Sequence, residues 1–206
     1  MSTTASFWDE RFQPNAGFAY GRAPNDFLVE AARRLKPNSK ILSLAEGEGR
    51  NAIYLAQQGH SVHCVDFSRV GLAKTDEWAQ QLGLSSLITT EFGDLAIYNL
   101  GEGEWDAIVS IWCHLPADIR KRVHHDAERA LKPQGVVILE AYTPNNIGRG
   151  TGGPREPEMC MDTATLRGDF AGLSIEYLEE KEREIVEGGY HSGLSATVQL
   201  IARRIQ

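Results

Sequence analysis

The stretch from Ile41 to Ala52 reads ILSLAEGEGRNA. It predicts a short strand at 41–44, a tight turn with two glycines, and a helix that begins near Arg50. Glycines let the backbone approach a ligand closely, and the helix N-terminus presents free N–H groups. The following strand, 61–66, ends on the carboxylate of Asp66. A carboxylate there is well placed to accept hydrogen bonds from ribose hydroxyls at the carboxyl edge of a parallel sheet.

The turn also limits which nucleotide fits. A dinucleotide-binding turn carries a third glycine, whereas here Arg50, Asn51 and Ala52 follow Gly49. The Gly-Lys-Ser/Thr sequence that grips phosphates in P-loops is missing as well. The residues therefore indicate a cofactor that has a ribose but no pyrophosphate.

Outside this stretch, short apolar runs alternate with amphipathic ones, which predicts a parallel sheet covered by helices. The predicted strands are 41–44, 61–66, 87–92, 105–111, 135–141, 173–186 and 196–202, and the predicted helices are 25–35, 50–58, 69–82 and 116–131. The fold class is α/β: a doubly wound, mostly parallel seven-stranded sheet with an antiparallel last strand. We expect one domain made of an N-terminal helical lid region (1–36), a cofactor-binding core (37–141), a substrate-side loop region (142–172) and a C-terminal β-hairpin (173–206).

Composition and charge limit the kinds of partner that the protein is expected to bind. The chain has 206 residues, of which 42% are hydrophobic, as is typical of a globular protein. Its formal net charge is −7, and a negatively charged protein is repelled by a phosphate backbone. We therefore expect no nucleic-acid partner, and the basic run 120–125 is interpreted as a solvated helix face. No apolar run approaches the ~20 residues of a membrane span, so no membrane association is expected. The sequence leaves the oligomeric state open.

The cysteines bear on metal and compartment. Cys64, Cys113 and Cys160 are few and widely spaced, without a zinc-binding pattern or a disulfide framework. The N-terminus has neither the basic region nor the apolar region of a signal peptide. These features predict no metal site and a cytoplasmic location.

Five motifs, two of which contain the residues discussed above, together form a family pattern. They are the run from Leu42 to Ala56, then VDFS (65–68), GDL (93–95), WDAIV (105–109) and LKPQG (131–135). In this order they resemble the motifs of class I S-adenosylmethionine-dependent methyltransferases, closest to the branch of tellurite-resistance and thiopurine-type small-molecule enzymes. The resemblance covers about residues 7–204. It implies S-adenosyl-L-methionine as cofactor and a small molecule as methyl acceptor.

The resemblance also implies roles for single residues. Gly47 and Gly49 would line the methionine moiety, Arg50 would meet its carboxylate, and Phe67 would pack on the adenine. Asp94 and the Leu95 backbone would recognise the adenine amino edge, and Tyr20 and Gly21 look like the segment that closes over the cofactor. The glycines, proline and aromatic residues of 12–22 predict that this whole segment is a lid, ordered only with cofactor bound. The full set of predicted cofactor-binding residues is Tyr20, Ala45, Glu46, Gly47, Gly49, Arg50, Asn51, Asp66, Phe67, Asp94 and Leu95.

One part of the motif departs from the family pattern. Ser43 and Ala45 replace an acidic residue and a glycine at the end of the first strand. Ala45 costs little if its φ is negative, and Glu46 is the candidate to replace the lost carboxylate. This departure puts cofactor affinity in question more than the fold.

Candidate catalytic residues follow from topology. Strand 105–111 leads to His114, strand 135–141 leads to Tyr142, and the glycine-rich turn after the sixth strand carries His191. The carboxyl ends of parallel strands share one edge of the sheet, so we expect these three side chains to converge on the acceptor. Each also has a plainer interpretation: a capping histidine, a core tyrosine and an exposed turn histidine.

Two other functions stay open at this stage. A nucleic-acid or protein methyltransferase would use the same cofactor, but the acidic charge and the absence of a base-flipping signature count against it. A non-catalytic, regulatory cofactor-binding module is motivated by Ser43 and Ala45. Cofactor calorimetry followed by a substrate screen would separate these alternatives.

Overall fold

The apolar runs of the sequence form the strands of one mixed sheet. A computed structural model describes residues 4–13 and 17–206. The strands are β1 (Lys40–Leu44), β2 (Ser61–Asp66), β3 (Ile88–Phe92), β4 (Trp105–Ile111), β5 (Leu131–Tyr142), β6 (Ser174–Glu187) and β7 (His191–Arg203).

The strand order confirms the predicted fold class. It runs β3-β2-β1-β4-β5-β7-β6, with parallel pairing from β3 to β5. Strand β7 is antiparallel to both β5 and β6. Six strands therefore point the same way and β7 points the other way. Strand order reverses between β1 and β4, so the carboxyl ends of those strands flank the crevice where ligands bind in doubly wound sheets.

In the described part of the chain, six α-helices accompany the sheet: α1 (Ala5–Arg11), α2 (Asp26–Ala32), α3 (Arg50–Gln57), α4 (Arg69–Gln81), α5 (Ala117–Ala130) and α6 (Thr163–Asp169). Apolar residues of α2, α3 and α4 pack on one face of the sheet, and those of α5 and α6 pack on the other. The central strands are buried on both sides, which explains their almost continuous apolar sequence.

The C-terminal hairpin is longer than the sequence suggested. Glu187 pairs with His191, so the turn holds only Gly188, Gly189 and Tyr190. The glycine-rich sequence 187–193 was interpreted as one long turn, but Gly193, at φ +112°, lies within β7. Extension of both strands brings His191 into the sheet.

The interpretation of the basic run 120–125 was wrong for two of its residues. Arg120 and His124 are buried, and both bond one carboxylate oxygen of Asp169, at 3.0 and 2.9 Å. The partner lies on α6, far along the chain, so helical periodicity alone gave no sign of it. Lys121 and His125 are exposed, as predicted.

Across residues 4–13 and 17–206, the helices are all too short or too polar to cross a lipid bilayer.

Candidate active site

The glycine turn between β1 and α3 has the backbone shape that glycine permits. Gly49, the residue before α3, has φ +89°, and a Cβ there would lie 2.7 Å from the Thr75 side chain. The Gly47 N–H donates to the Asp66 carboxylate at 2.8 Å. The turn is thus bound directly to the end of β2, and both parts face the same crevice.

Asp66 is the principal candidate for binding a ribose. Its two carboxylate oxygens accept one backbone N–H each, from Gly47 and from Ser68 at 2.7 Å. A carboxylate oxygen accepts two hydrogen bonds, so each retains capacity for a hydroxyl donor. Burial raises the pKa of Asp66 to about 6, against the lowering effect of those N–H groups. A buried carboxylate with spare acceptor capacity fits a ribose diol.

Glu46 takes over the ordering of the turn. One carboxylate oxygen accepts the N–H groups of Asn51 and Ala52, at 3.1 and 2.9 Å, and the other accepts the Ser43 hydroxyl. A negative group at a helix N-terminus also interacts favourably with the helix dipole. Burial raises the pKa of Glu46, while the Ser43 and Ala52 donors oppose that change. The carboxylate absent at position 43 is therefore supplied three residues later.

Ala45 lies in the left-handed region, at φ +51°. The expectation of little cost depended on a negative φ, and that condition is not met. In this region the Cβ of an L-residue crowds the following carbonyl, which costs roughly 1–2 kcal/mol. The site therefore stores strain where the family pattern has glycine.

Replacing Ala45 with glycine is expected to stabilise the protein. Relief of the strain exceeds the added entropy of the unfolded chain, so the net gain is about 0.5–1 kcal/mol, or ~1–4 °C in Tm. Thermal unfolding followed by circular dichroism measures it. Ala52→Gly, inside α3, is the control and should cost about 1 kcal/mol. A lower Tm for Ala45→Gly would contradict the strain argument.

The predicted adenine side consists of the β2 and β3 ends. Phe67 is half-buried and stacks on Phe92, with ring centroids 5.6 Å apart. One Asp94 carboxylate oxygen accepts the Ala96 N–H at 2.8 Å, and Leu95 is buried in the core. The structure brings Phe67 and Asp94 to the same edge as Asp66, and their contacts with adenine remain predictions.

The predicted lid has anchors of its own. The Ala19 N–H donates to Glu48 at 2.7 Å, and the Lys74 ammonium donates to the same carboxylate and to the Gly17 carbonyl. Phe12 is buried and a Cβ on Gly47 would lie 3.1 Å from its ring. Residues 14–16 of the predicted lid lie outside the described residues.

Hydrogen exchange tests whether this segment closes over a cofactor. Amides at 17–22 are expected to exchange more slowly once S-adenosylhomocysteine is added, because a bound ligand adds contacts that opening must break. Mass spectrometry of the corresponding peptide measures the change, with a peptide from α5 as the internal reference. Equal rates with and without ligand would refute the lid.

Four aromatic rings form a cluster at the carboxyl ends of β4 and β5 and the start of β7, which we call the acceptor-side cluster: Tyr20, Trp112, Tyr142 and His191. Trp112 stacks on Tyr142 with centroids 4.4 Å apart, and His191 contacts both rings edge-on, at 5.2 and 5.3 Å. Tyr20 lies 4.6 Å from His191. Nδ1 of His191 is buried and, among the described residues, no side-chain or backbone group bonds it.

His114 and Tyr142 are engaged by the backbone. Nδ1 of His114 donates to the Trp112 carbonyl at 3.1 Å, and Nε2 accepts the Tyr142 N–H at 3.0 Å. The Tyr142 hydroxyl donates to the Thr151 carbonyl at 3.3 Å, and the ring is fully buried. His114 stacks on Tyr142, with ring centroids 5.6 Å apart, and Tyr142 in turn contacts His191 edge-on. Their catalytic roles remain predictions, and of the three only His191 has a buried, unbonded nitrogen.

Arg50 and Asn51 both bond other parts of the chain. The Arg50 guanidinium donates to Glu187 at 2.5 Å and to the Ala23 carbonyl at 3.2 Å. The Asn51 side-chain oxygen accepts the Asn25 N–H at 3.0 Å. The contact of Arg50 with a cofactor carboxylate stays a prediction, and any such contact must compete with Glu187.

Sequence reasoning missed the groups around Arg50. We call Arg50, Glu140, Arg183 and Glu187 the buried ionic network. Arg183 donates to Glu140 at 2.7 and 2.8 Å and to Glu187 at 3.3 Å. Strand β6 is rich in charged residues, and the sequence does not show which of them are buried. The one available signal was alternation, since Arg183 and Glu187 are spaced to share a face.

Together, the doubly wound sheet, the glycine turn and the carboxylate at the end of β2 define a class I methyltransferase architecture. Residues 41–135 match the family described as methyltransferase domain. Over this stretch the chain is similar to that methyltransferase family.

Three known proteins resemble this chain at low sequence identity. TehB from Haemophilus influenzae superposes with a TM-score of 0.75 at 19% identity, over 97% of this chain and 66% of that one. A SAM-dependent methyltransferase from Methanosarcina mazei superposes with a TM-score of 0.69 at 17% identity, over 85% of this chain and 97% of that one. The 2-heptyl-1-hydroxyquinolin-4(1H)-one methyltransferase of Mycobacteroides abscessus is 21% identical over 66% of this chain and 62% of its own length. The chain spans between 50 and 62% of the length of the curated relatives it matches.

Proposed function

We propose that this protein transfers a methyl group from S-adenosylmethionine to a small-molecule acceptor bound at the acceptor-side cluster. The observation that carries the proposal is the pairing of two features at one edge of the sheet. One is the buried Asp66 carboxylate beside the Gly47 turn, and the other is the buried, unbonded Nδ1 of His191. The Asp66 carboxylate can accept hydrogen bonds from the ribose of a nucleoside, and Nδ1 of His191 can bond a polar group of an acceptor.

The chemistry asks little of the protein beyond alignment and proton transfer. The cofactor supplies a methyl group on a cationic sulfur. Held beside Asp66 and the Gly47 turn, it would supply an electrophilic methyl carbon to the acceptor lone pair, and its sulfur would keep the electron pair of the broken carbon–sulfur bond. Alignment of the two centres provides most of the rate. A protic acceptor also loses a proton, which a neutral imidazole accepts.

The protonation states favour this role for His191. Burial lowers the pKa of His191 to about 3, opposed by Glu187 and reinforced by His114, Arg50 and Arg11. Burial also lowers the pKa of His114 to about 4. Both imidazoles are neutral at pH 7, so neither holds an anion by charge. Both ring nitrogens of His114 are bonded to the backbone, which leaves Nδ1 of His191 as the nitrogen open to an acceptor.

The acidic chain and the relatives support a small acceptor. The net charge is −7, and Arg120 and His124 of the basic run are buried. The relative from Mycobacteroides abscessus is named for methylation of a hydroxyquinolone. We propose that nucleic acids and membranes are not partners and, from the three buried free cysteines, that the protein works in the cytoplasm.

A methylation screen tests the proposal. Purified protein is incubated with S-adenosylmethionine and thiophenol, tellurite or a 1-hydroxyquinolin-4-one, and methylated product is measured by mass spectrometry. We expect turnover of at least one acceptor. His191→Ala should lower that turnover by ~10²-fold or more, with S-adenosylhomocysteine affinity nearly unchanged, since a positioned base contributes about that factor. Cofactor binding without turnover of any acceptor would support the regulatory alternative instead.

A further inference from the structure

Glu187, the last residue of β6, collects an unusual number of donors. Its carboxylate accepts from Arg50 at 2.5 Å, the Trp112 indole N–H at 2.6 Å, the Asn25 amide at 2.9 Å and Arg183 at 3.3 Å. These donors come from four separate segments of the chain. Only 6% of the Glu187 surface is exposed, so the contacts are shielded from water.

The surroundings of Glu187 favour its ionised form. Burial alone would raise its pKa, but the Arg50 charge, the Trp112 N–H and the Arg183 charge hold the pKa below its usual value. Two arginines and two glutamates make up the buried ionic network, so its formal charge is zero. Removal of one charged group from such a buried network is costly, because its partner charge is left unpaired.

Trp112 gives the network a role beyond stability. Its backbone has φ +58°, a conformation that costs a bulky residue on the order of 1–3 kcal/mol and persists only where the surroundings impose it. The indole N–H bonded to Glu187 fixes the ring that stacks on Tyr142 and contacts His191 edge-on. Glu187 also pairs with His191 across the hairpin.

We propose that Glu187 is a positioning residue of the acceptor site. It holds the indole of Trp112 and the strand start that carries His191, and Arg50 and Arg183 in turn hold Glu187. The effect on turnover rests on the proposed function, whereas the effect on Trp112 does not. One carboxylate thereby positions both Trp112 and His191 in the acceptor-side cluster.

Glu140 offers a matched control within the same network. It is a fully buried glutamate that accepts from Arg183, the Asn25 amide and the Gln199 amide. Its carboxylate makes no hydrogen bond to the Trp112 indole. Its backbone carbonyl accepts the Trp112 backbone N–H at 2.9 Å, a contact that a glutamine at position 140 retains. Glu140→Gln therefore disturbs a buried charge of the same kind without releasing the indole.

The indole resonances of ¹⁵N-labelled protein provide the test. Trp112→Phe identifies the Trp112 signal among the four tryptophans. We expect Glu187→Gln to shift that signal and hasten its hydrogen exchange by ~10-fold or more, since loss of a charge-assisted bond frees the N–H. Glu140→Gln should leave the signal in place. If Glu187→Gln does not fold, Glu187→Asp retains the charge but withdraws it from the indole and should give the same shift.

Binding and turnover give the second readout. S-adenosylhomocysteine affinity in Glu187→Gln should stay within ~3-fold of wild type, while kcat of Glu187→Gln on the acceptor found above falls ~10-fold or more, as misplacement of a pocket wall predicts. An unmoved Trp112 signal in both Glu187 variants would overturn the proposal. If no acceptor is methylated, the proposed function fails while the indole signal still decides the role of Glu187.

Discussion

Alanine in place of Asp66 is expected to weaken S-adenosylhomocysteine binding by ~1.5–3 kcal/mol, roughly 10- to 150-fold, through the loss of two charge-assisted hydrogen bonds from ribose. Titration calorimetry measures the change. Asp106→Ala is the control, since Asp106 lies at the opposite end of the sheet and bonds the Lys40 N–H and Lys132. Asp106→Ala should bind like the wild type, and unchanged binding by Asp66→Ala would remove Asp66 from the cofactor site.

The same carboxylate predicts how affinity depends on pH. The pKa of free Asp66 is raised to about 6 by burial. Ribose hydroxyls favour the ionised form, so ligand binding lowers that pKa and affinity falls as pH drops through about 6, by up to ~10-fold per unit. Folding has the opposite dependence: this group's contribution favours the folded state at low pH and diminishes as pH rises through about 6. Affinity that is flat from pH 5 to 8, in protein shown to be folded by circular dichroism, would contradict the assignment.

The second large effect is expected at Glu46. Glu46→Ala leaves the N–H groups of Asn51 and Ala52 without their acceptor and removes the partner of the Ser43 hydroxyl. The loss of a helix cap and of buried hydrogen bonds should cost ~2–4 kcal/mol of unfolding free energy, or ~4–16 °C in Tm. Thermal and urea unfolding measure this cost.

Glu46→Gln separates the hydrogen bonds from the charge. Its amide oxygen can still accept both helix N–H groups, and its NH₂ can donate to the Ser43 hydroxyl oxygen. We expect it to lose less than half of what Glu46→Ala loses. Equal losses in the two variants would mean that the charge, rather than the cap, stabilises the turn.

Local sequence patterns are enough to predict most of the fold. The central strands β4 and β5 stand out as apolar runs, and the direction of β6 follows from its hairpin with β7. The extent of that hairpin does not, because Gly188 and Gly193 look alike in sequence, yet one lies in the turn and the other within β7. Glycine marks where the backbone is free to turn but not where it does.

The site was predictable where one segment carries the chemistry. Asp66 and Gly47 stood out because each sits at the end of a recognisable element. Glu187 did not, because its importance depends on Arg50, 137 residues away in sequence. The left-handed conformation of Ala45 was likewise hidden, since alanine gives no sign of a positive φ. Contacts between residues that are far apart in the chain cannot be identified from a single sequence.

The strand order has a consequence for synthesis of the chain. β7 lies between β5 and β6, so the last of the seven described strands is internal to the sheet rather than at its edge. As the chain leaves the ribosome, the cofactor-binding half can assemble while β6 still lacks a neighbour. Removing β7 would therefore strip β6 from the sheet as well, taking Glu187 and His191 together. A nascent or truncated chain would retain the nucleoside crevice and lose the wall that faces it.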